Sequence, residues 1–235
     1  MDPRANLLIA ALPELIFQQW RPHLEAVEMP LDRVLYEPGC AVSHVYFPTT
    51  SIVSLLYVLD NGHSTEIAIA GNEGIVGISC LMGGGSTNHQ AVVLSAGRGY
   101  RLRADFIVDA FEQGGPVMHL LLRYNQALIT QMAQRAVCNR HHTVDQQLCR
   151  WLLGCLDRLE TNELVMTHER ISNMLGVRRE GVTETAIALQ RDGLINYARG
   201  HICVVDRPAL ERRSCECHAV VKKEYGRLLP ARTAT

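Results

Sequence analysis

The spacing of apolar positions changes character twice along the chain. Asn6 to Trp20 is apolar at helical spacing and predicts an opening helix that ends near Pro22. From Glu28 to about Leu102 the pattern becomes short β-type runs separated by turn residues: Val34–Tyr36, Val45–Phe47, Ile52–Val58, Glu66–Ala70 and Ala91–Ser95. Between two of these runs, Leu59-Asp60-Asn61-Gly62 predicts a hairpin with a tight primed turn, because Asn-Gly readily supplies positive φ angles. Many short antiparallel strands with glycine turns predict a barrel or jelly roll. The period then becomes helical, at Val117, Leu121, Tyr124, Leu128 and Met132. Neither Pro nor Gly interrupts it before Leu153, so a helix-rich stretch is expected, with a break near His141-His142-Thr143. Its apolar stripe faces either the roll or the same helix of a second copy.

Beyond residues 159–163 the segments shorten. Thr167 stands where a helix N-cap is expected, and Ile171, Met174 and Leu175 lead to Gly176, a helix-stopping residue. A second helix opens at Val177-Arg178-Arg179-Glu180, keeps Val182, Ala186 and Leu189 on its inner face, and ends at Asp192-Gly193. Leu194–Tyr197, Ala198-Arg199-Gly200-His201 and Ile202–Val205 then read as strand, turn and strand. Two helices joined by a Gly-containing turn and followed by a hairpin describe a winged helix-turn-helix. In such a unit the second helix exposes its N-terminal end to base edges and phosphates. Arg178, Arg179, Glu180 and Thr183 occupy that face here, with Arg179 and Glu180 suited to guanine and cytosine edges. Arg199 and His201, at the hairpin tip, suit backbone phosphate. The competing reading is a protein-interaction module whose charges form a solvated face.

The predicted fold is therefore α+β: an N-terminal antiparallel, jelly-roll-like β-roll over residues 1–115, a long dimerisation helix and hinge over 116–145, and a winged helix-turn-helix with a C-terminal extension over 146–235. Charge agrees with this division. Residues 146–235 carry 14 Lys/Arg against 11 Asp/Glu, net +3, and the remainder 9 against 13, net −4. The basic half suits a polyanion partner. With 235 residues, 47% hydrophobic and 20% charged, the composition is globular and excludes wholesale disorder. No apolar run approaches a membrane span and the N-terminus lacks a signal-peptide pattern, so a soluble, cytoplasmic protein is expected. In that compartment the eight cysteines read as buried hydrophobes, metal ligands or redox sensors rather than disulfides. No nucleophile–base set or Walker phosphate loop can be read, and an enzyme is not expected.

The run Thr167-His168-Glu169-Arg170-Ile171-Ser172-Asn173-Met174-Leu175-Gly176-Val177-Arg178-Arg179-Glu180-Gly181-Val182-Thr183, placed after a roll and a long helix, resembles the Crp/Fnr-type bacterial transcription regulators. Leu175 to Val182 is the most specific part. The resemblance implies a homodimer joined through the long helix that presents two recognition helices to a near-palindromic operator. It places Arg179 and Glu180 on the family's best-known base-contacting positions, and puts Glu184 where a third, basic reader is common. The partners it implies are double-stranded DNA, a second copy of the chain, RNA polymerase and an unidentified small-molecule effector. The alternative is a cyclic-nucleotide-like signalling scaffold whose C-terminal helices bind protein.

In that family the roll often binds cyclic AMP, with the phosphate held by a short helix N-terminus and an Arg while a Glu accepts from the ribose. Here Gly77 is retained, the Glu is replaced by Ile78, and the Arg by Asn88, His89 or Gln90. Gly77, Ile78, Ser79, His89 and Gln90 are the candidate ligand-binding positions, and losing two charge-assisted contacts of about 1.5–3 kcal/mol each makes cyclic AMP an unexpected ligand. The amides around Ser79 and the run Gly83-Gly84-Gly85 remain as an anion cradle or a simple turn. An iron–sulfur branch needs N-terminal cysteines, and the first here is Cys40. Haem candidates (His44, His63, His89, Cys80, His119) lack any recommending spacing. Two soft-ligand clusters stand out, Cys138 with His141 and His142, and Cys215 with Cys217 and His218. Cys138 and His142, four apart on one helical face, have a spacing that is often incidental, and a closed tetrahedral site needs four ligands where the second cluster indicates no fourth, so no metal site is expected.

Overall fold

The computed structural model describes residues 2–62, 64–83 and 85–229; His63 and Gly84 lie outside them. The opening segment forms two short helices rather than one, α1 (Leu7–Ala10) and α2 (Glu14–Trp20). Pro13, directly before α2, disfavours helical backbone at Leu12 and has no N–H to donate. Asn6 caps α1 through the Leu8 and Ile9 amides while its side-chain amide donates to the carbonyls of Pro48 and Gly74, pinning the N-terminus to the roll.

Seven strands build the roll: β1 (Glu25–Met29), β2 (Val34–Tyr36), β3 (His44–Pro48), β4 (Ile52–Val58), β5 (Ser64–Ala70), β6 (Gln90–Ser95) and β7 (Gly97–Arg103). They pair antiparallel in two sheets, ordered β1-β7-β3 and β2-β6-β4-β5. The β4–β5 hairpin is present, with Val58 opposite Ser64. Its turn is not the primed one expected: a β-turn closes from the Gly62 amide to the Leu59 carbonyl, and Gly62 takes φ 82 whereas Asn61 keeps a negative φ. The loop is five residues long, so one left-handed residue suffices.

After α3 (Ala104–Glu112), two glycines of positive φ and Pro116 launch α4 (Gly115–His141). The expected break is sharp. His142 is extended, and Thr143 opens α5 (Val144–Leu156) with a capping box to Gln146. A three-stranded wing sheet of order β8-β10-β9 follows, made of β8 (Glu163–Val165), β9 (Ile195–Ala198) and β10 (His201–Val204). It frames α6 (His168–Leu175) and α7 (Arg179–Arg191). The C-terminal extension forms α8 (Arg207–Arg213) and α9 (Cys217–Leu228).

Two cores hold these elements. One joins the roll to the first half of α4, and Tyr225 and Leu229 of the extension reach back into it. The other gathers α5 to α8 and the wing around Trp151, Leu152 and Leu189, and also takes Ile52, Leu56, Ile69 and Leu94 from the roll. A buried polar knot crosses between them. Glu66 of β5, with no exposure at all, accepts from Arg135 of α4, Trp151 Nε1 of α5 and the Ser54 hydroxyl. Arg135 donates onward to the Met174 carbonyl at 2.7 Å, at the end of α6. Roll, long helix and helix-turn-helix are thus tied through one carboxylate.

Candidate nucleic-acid interface and sensor site

The reading end is assembled by local chemistry. Thr167 caps α6 by accepting from the Arg170 amide, a contact worth about 1 kcal/mol. Gly176 ends the helix in the left-handed conformation, φ 69, which glycine adopts without the Cβ clash of other residues. Val182, Ala186 and Leu189 bury the inner face of α7, and this turns Arg179, Glu180 and Glu184 outward. Arg178 is the N-cap and makes no side-chain cap, so the first-turn amides of α7 have no capping side chain.

Arg199 and His201 are exposed at the wing. Ala198 pairs with His201, leaving Arg199 and Gly200 as a two-residue turn with φ 49 and 82, as a primed turn requires. Thr183 is held from within: its hydroxyl donates to the Arg179 carbonyl and meets His168 Nδ1 at 3.1 Å. His168 stacks on Tyr197 of the wing with centroids 4.1 Å apart, and burial followed by the nearby Arg179 charge lowers its pKa. Sequence reasoning passed over His168, whose role depends on a wing residue 29 positions away. It also passed over Ile187, 63% exposed one turn beyond Glu184.

The sensor positions look different. Gly77 takes φ 98, and an added Cβ would lie 3.0 Å from Val42. Ile78 is buried in the roll core, where a carboxylate would lose its hydration. Ser79 Oγ is buried without a hydrogen-bond partner among the described residues. The His89 ring is held at Nε2 by the Tyr36 hydroxyl at 2.8 Å and at Nδ1 by Thr87 at 2.5 Å. Burial lowers the His89 pKa, which favours the neutral imidazole. Gln90 is engaged by Glu37, and Asn88 is exposed.

Residues 146–213 match the family of Crp-like helix-turn-helix domains. Among solved structures, a transcriptional regulator of the Crp/Fnr family from Eubacterium rectale superposes with a TM-score of 0.70 at 18% identity, over 89% of this chain and 98% of that one. FixK2 from Bradyrhizobium japonicum gives 0.71 at 17%, over 82% and 98%. This is the Crp/Fnr fold. The c-di-GMP-responsive global regulator CLP of Xanthomonas campestris shares it as well, with a TM-score of 0.66 at 14% identity over 83% of this chain and all of that one. No curated protein matches the chain.

Within the Crp/Fnr fold the long helix α4 has two faces. Val117, Leu121, Tyr124 and Leu128 pack on the roll, so the stripe anticipated from the sequence is spent within the chain. A second stripe points away: Leu122, Ile129 and Val137 are 46%, 50% and 47% exposed, with Ala133 and Ala136 between them. Among the described residues no helix is long and apolar enough to cross a membrane.

Of the haem candidates among the described residues, His119 is exposed on α4, and His44, in β3, meets the Ser43 hydroxyl through Nδ1 at 3.1 Å. The two soft-ligand clusters, read separately from the sequence, come together in the fold. Cys138, His142, Cys215 and Cys217 bring their ligand atoms within 4.8 Å of one another. Cys138 Sγ lies 3.6 Å from Cys215 Sγ, and Cys217 Sγ lies 3.6 Å from His142 Nδ1. Two members of the original clusters drop out: His141 is exposed, and His218 bonds Asp157 at 2.8 Å.

Proposed function

We propose that this chain is a homodimeric, sequence-specific DNA-binding transcription regulator whose roll has lost the charged contacts for cyclic AMP. The observation that carries the reading is the outward face of α7, where Arg178, Arg179, Glu180 and Glu184 stand free of the core inside a Crp-like helix-turn-helix domain. Arg179 reads a guanine bidentately and Glu180 accepts from a cytosine, while Arg199 and His201 touch phosphate. Thr183, locked by His168, positions Arg179 rather than reaching a base itself. Ile187 lies on the same face, where it suits a thymine methyl.

The second copy docks along Leu122, Ile129 and Val137. Their spacing of seven and eight residues is that of a coiled-coil seam, and Arg123 and Arg140 flank it. Two recognition helices on a two-fold axis read a near-palindromic site, and RNA polymerase is the partner through which binding alters transcription. The domain limits follow the same logic, with the roll over residues 1–115, dimer helix and hinge over 116–145, and the reading end over 146–235. An effector taken by the roll is uncharged where cyclic AMP carries its phosphate, because His89, whose pKa burial lowers, stands in for the cation, and it forgoes the ribose acceptor that Ile78 replaces.

The test is recovery of fragments from a genomic DNA pool at physiological salt, in parallel arms with no ligand, cyclic AMP or c-di-GMP. The expected result is a palindromic site recovered without cyclic AMP. Recovery only with cyclic AMP would keep the regulator and overturn the lost-contact reading of Ile78 and His89. Salt-insensitive, unselective recovery would favour the scaffold alternative, since phosphate neutralisation must release counterions.

A further inference from the structure

We infer that Cys138, His142, Cys215 and Cys217 form a closed tetrahedral site for a zinc-type divalent cation, which fastens the C-terminal extension to the hinge between α4 and α5. Metal–sulfur and metal–nitrogen bonds of about 2.3 and 2.0 Å in a tetrahedron place donor atoms about 3.5–3.8 Å apart. The two close contacts in the cluster, Cys138 to Cys215 and Cys217 to His142 Nδ1, are both 3.6 Å. All four atoms fall within 4.8 Å before any ion draws them in.

Three further observations fit a cation. The three cysteines are buried together as a small cluster of their own, apart from both hydrophobic cores. His142 offers Nδ1 to the thiols while its other nitrogen, Nε2, stands 3.3 Å from the Glu216 carboxylate, the outer-sphere contact that orients a ligating imidazole. Arg150 supplies the charge balance. Its Nε and Nη2 are buried without a hydrogen-bond partner among the described residues, and its charge acts directly on Cys138. Three thiolates, a neutral imidazole and a divalent ion sum to a single negative charge, which the half-buried Arg150 guanidinium offsets.

The donor set selects the metal class. Three thiolates with one imidazole suit zinc, whereas calcium and magnesium require oxygen ligands. Four protein ligands leave no open position, so the ion is structural rather than catalytic. Its place gives it leverage: Cys138 lies in the last turn of α4, His142 is the extended residue that separates α4 from α5, and Cys215 and Cys217 flank the junction of α8 and α9. One ion would tie the end of the long helix, the hinge and the extension together.

The experiment uses the full chain, purified under reducing conditions without a chelator or a metal-affinity tag. Elemental analysis should find about one zinc per chain. Exchange with Co2+ should give thiolate-to-cobalt charge-transfer absorption and intense tetrahedral d–d bands. Cys215→Ser and His142→Ala should lower zinc content at least about tenfold, as loss of a first-sphere ligand from a four-ligand site requires. Cys149→Ser, a buried thiol outside the set, should retain it. Because a cluster variant can fail to fold, the cobalt spectrum of the unaltered chain stands as an independent readout. The inference is overturned if the reduced wild-type chain takes up neither zinc nor cobalt, or if peptide mapping finds Cys138 and Cys215 joined as a disulfide in the metal-free protein as isolated. Loss of DNA recognition with zinc intact would count against the proposed function and leave this site standing.

Discussion

The outer face of α7 and the cassette around Gly77 are the two places where the resemblance to Crp/Fnr regulators makes residue-level demands, and they answer in opposite ways. On α7 the charged positions are present and solvent-facing, held there by an apolar inner face and a helix stop at Gly176. In the cassette Gly77 keeps its positive φ, but where the resemblance expects charge the proposed reading finds a buried Ile78 and a His89 held between Tyr36 and Thr87. A fold can therefore keep the shape of a site while its chemistry is replaced. Charge that must meet a polyanion costs little to expose. An unpartnered charge inside a roll costs several kcal/mol, which favours neutral groups there on the proposed reading.

The largest predicted effect lies where the two regions are joined. Glu66→Ala strands the Arg135 guanidinium among buried groups and removes the acceptor of Trp151 Nε1, so stability should fall by about 3–5 kcal/mol in denaturant titration. Adding Arg135→Met should recover much of that loss, because removing both partners leaves no unpaired charge. If Glu66→Ala unfolds at the wild-type midpoint, the carboxylate does not couple roll to reading end. The two regions would then have to be treated as independent bodies.

Next in size is Arg179→Ala. Affinity for the selected operator should fall by about 1–3 kcal/mol, with preference relaxed at one base pair in each half-site. Equal loss on every sequence would make Arg179 a phosphate contact, and the contrast between regions would become one of charge alone rather than of base reading. His168→Ala should weaken the same site by a smaller factor, since it removes only the partner of Thr183 and the stacking on Tyr197.

Arg199→Gly separates stability from binding at one residue. Arg199 holds φ 49, a conformation glycine adopts without strain, so the variant should be more stable by about 1 kcal/mol. DNA affinity should drop uniformly across sequences, with the salt slope reduced by about one unit, as for a single lost phosphate contact. Unchanged affinity would remove the wing tip from the interface.

How much was legible in the sequence follows from how local each signal is. The helix-turn-helix could be read because Thr167, Gly176 and the inner apolar positions of α7 act within a few residues of themselves. The break expected near His141-His142-Thr143 is equally local, and the structure shows its cause in the Thr143–Gln146 capping box. The turn chemistry misled: Asn61-Gly62 carries the primed-turn signature but sits in a five-residue loop, while the tight positive-φ pair is Arg199-Gly200. Loop length is set by strand register, which no dipeptide encodes. The four-ligand cluster was legible only as two halves, because Cys138 and Cys215 are 77 residues apart and meet only when α9 folds back along α4.

The smallest effect tests the cassette itself. Burial lowers the pKa of His89 below its ordinary value of 6.5, so the folded state prefers the neutral ring while the unfolded chain binds a proton more readily. A depressed folded pKa contributes stability above about pH 6.5, and that contribution is lost as pH falls from there toward the folded value. The groups that face the ring do not compensate. Thr87 is not ionisable, and burial first of all raises Tyr36, as it does Cys80 beside Tyr36, keeping both neutral through this range. Denaturant midpoints measured from pH 7 down to pH 5 should therefore fall more steeply in the wild type than in His89→Gln, which keeps a polar side chain but cannot titrate. Parallel curves would mean that water or a bound anion already reaches the imidazole. The cassette would then be an open anion site after all, and the difference between it and the face of α7 would narrow to which ligand each one meets.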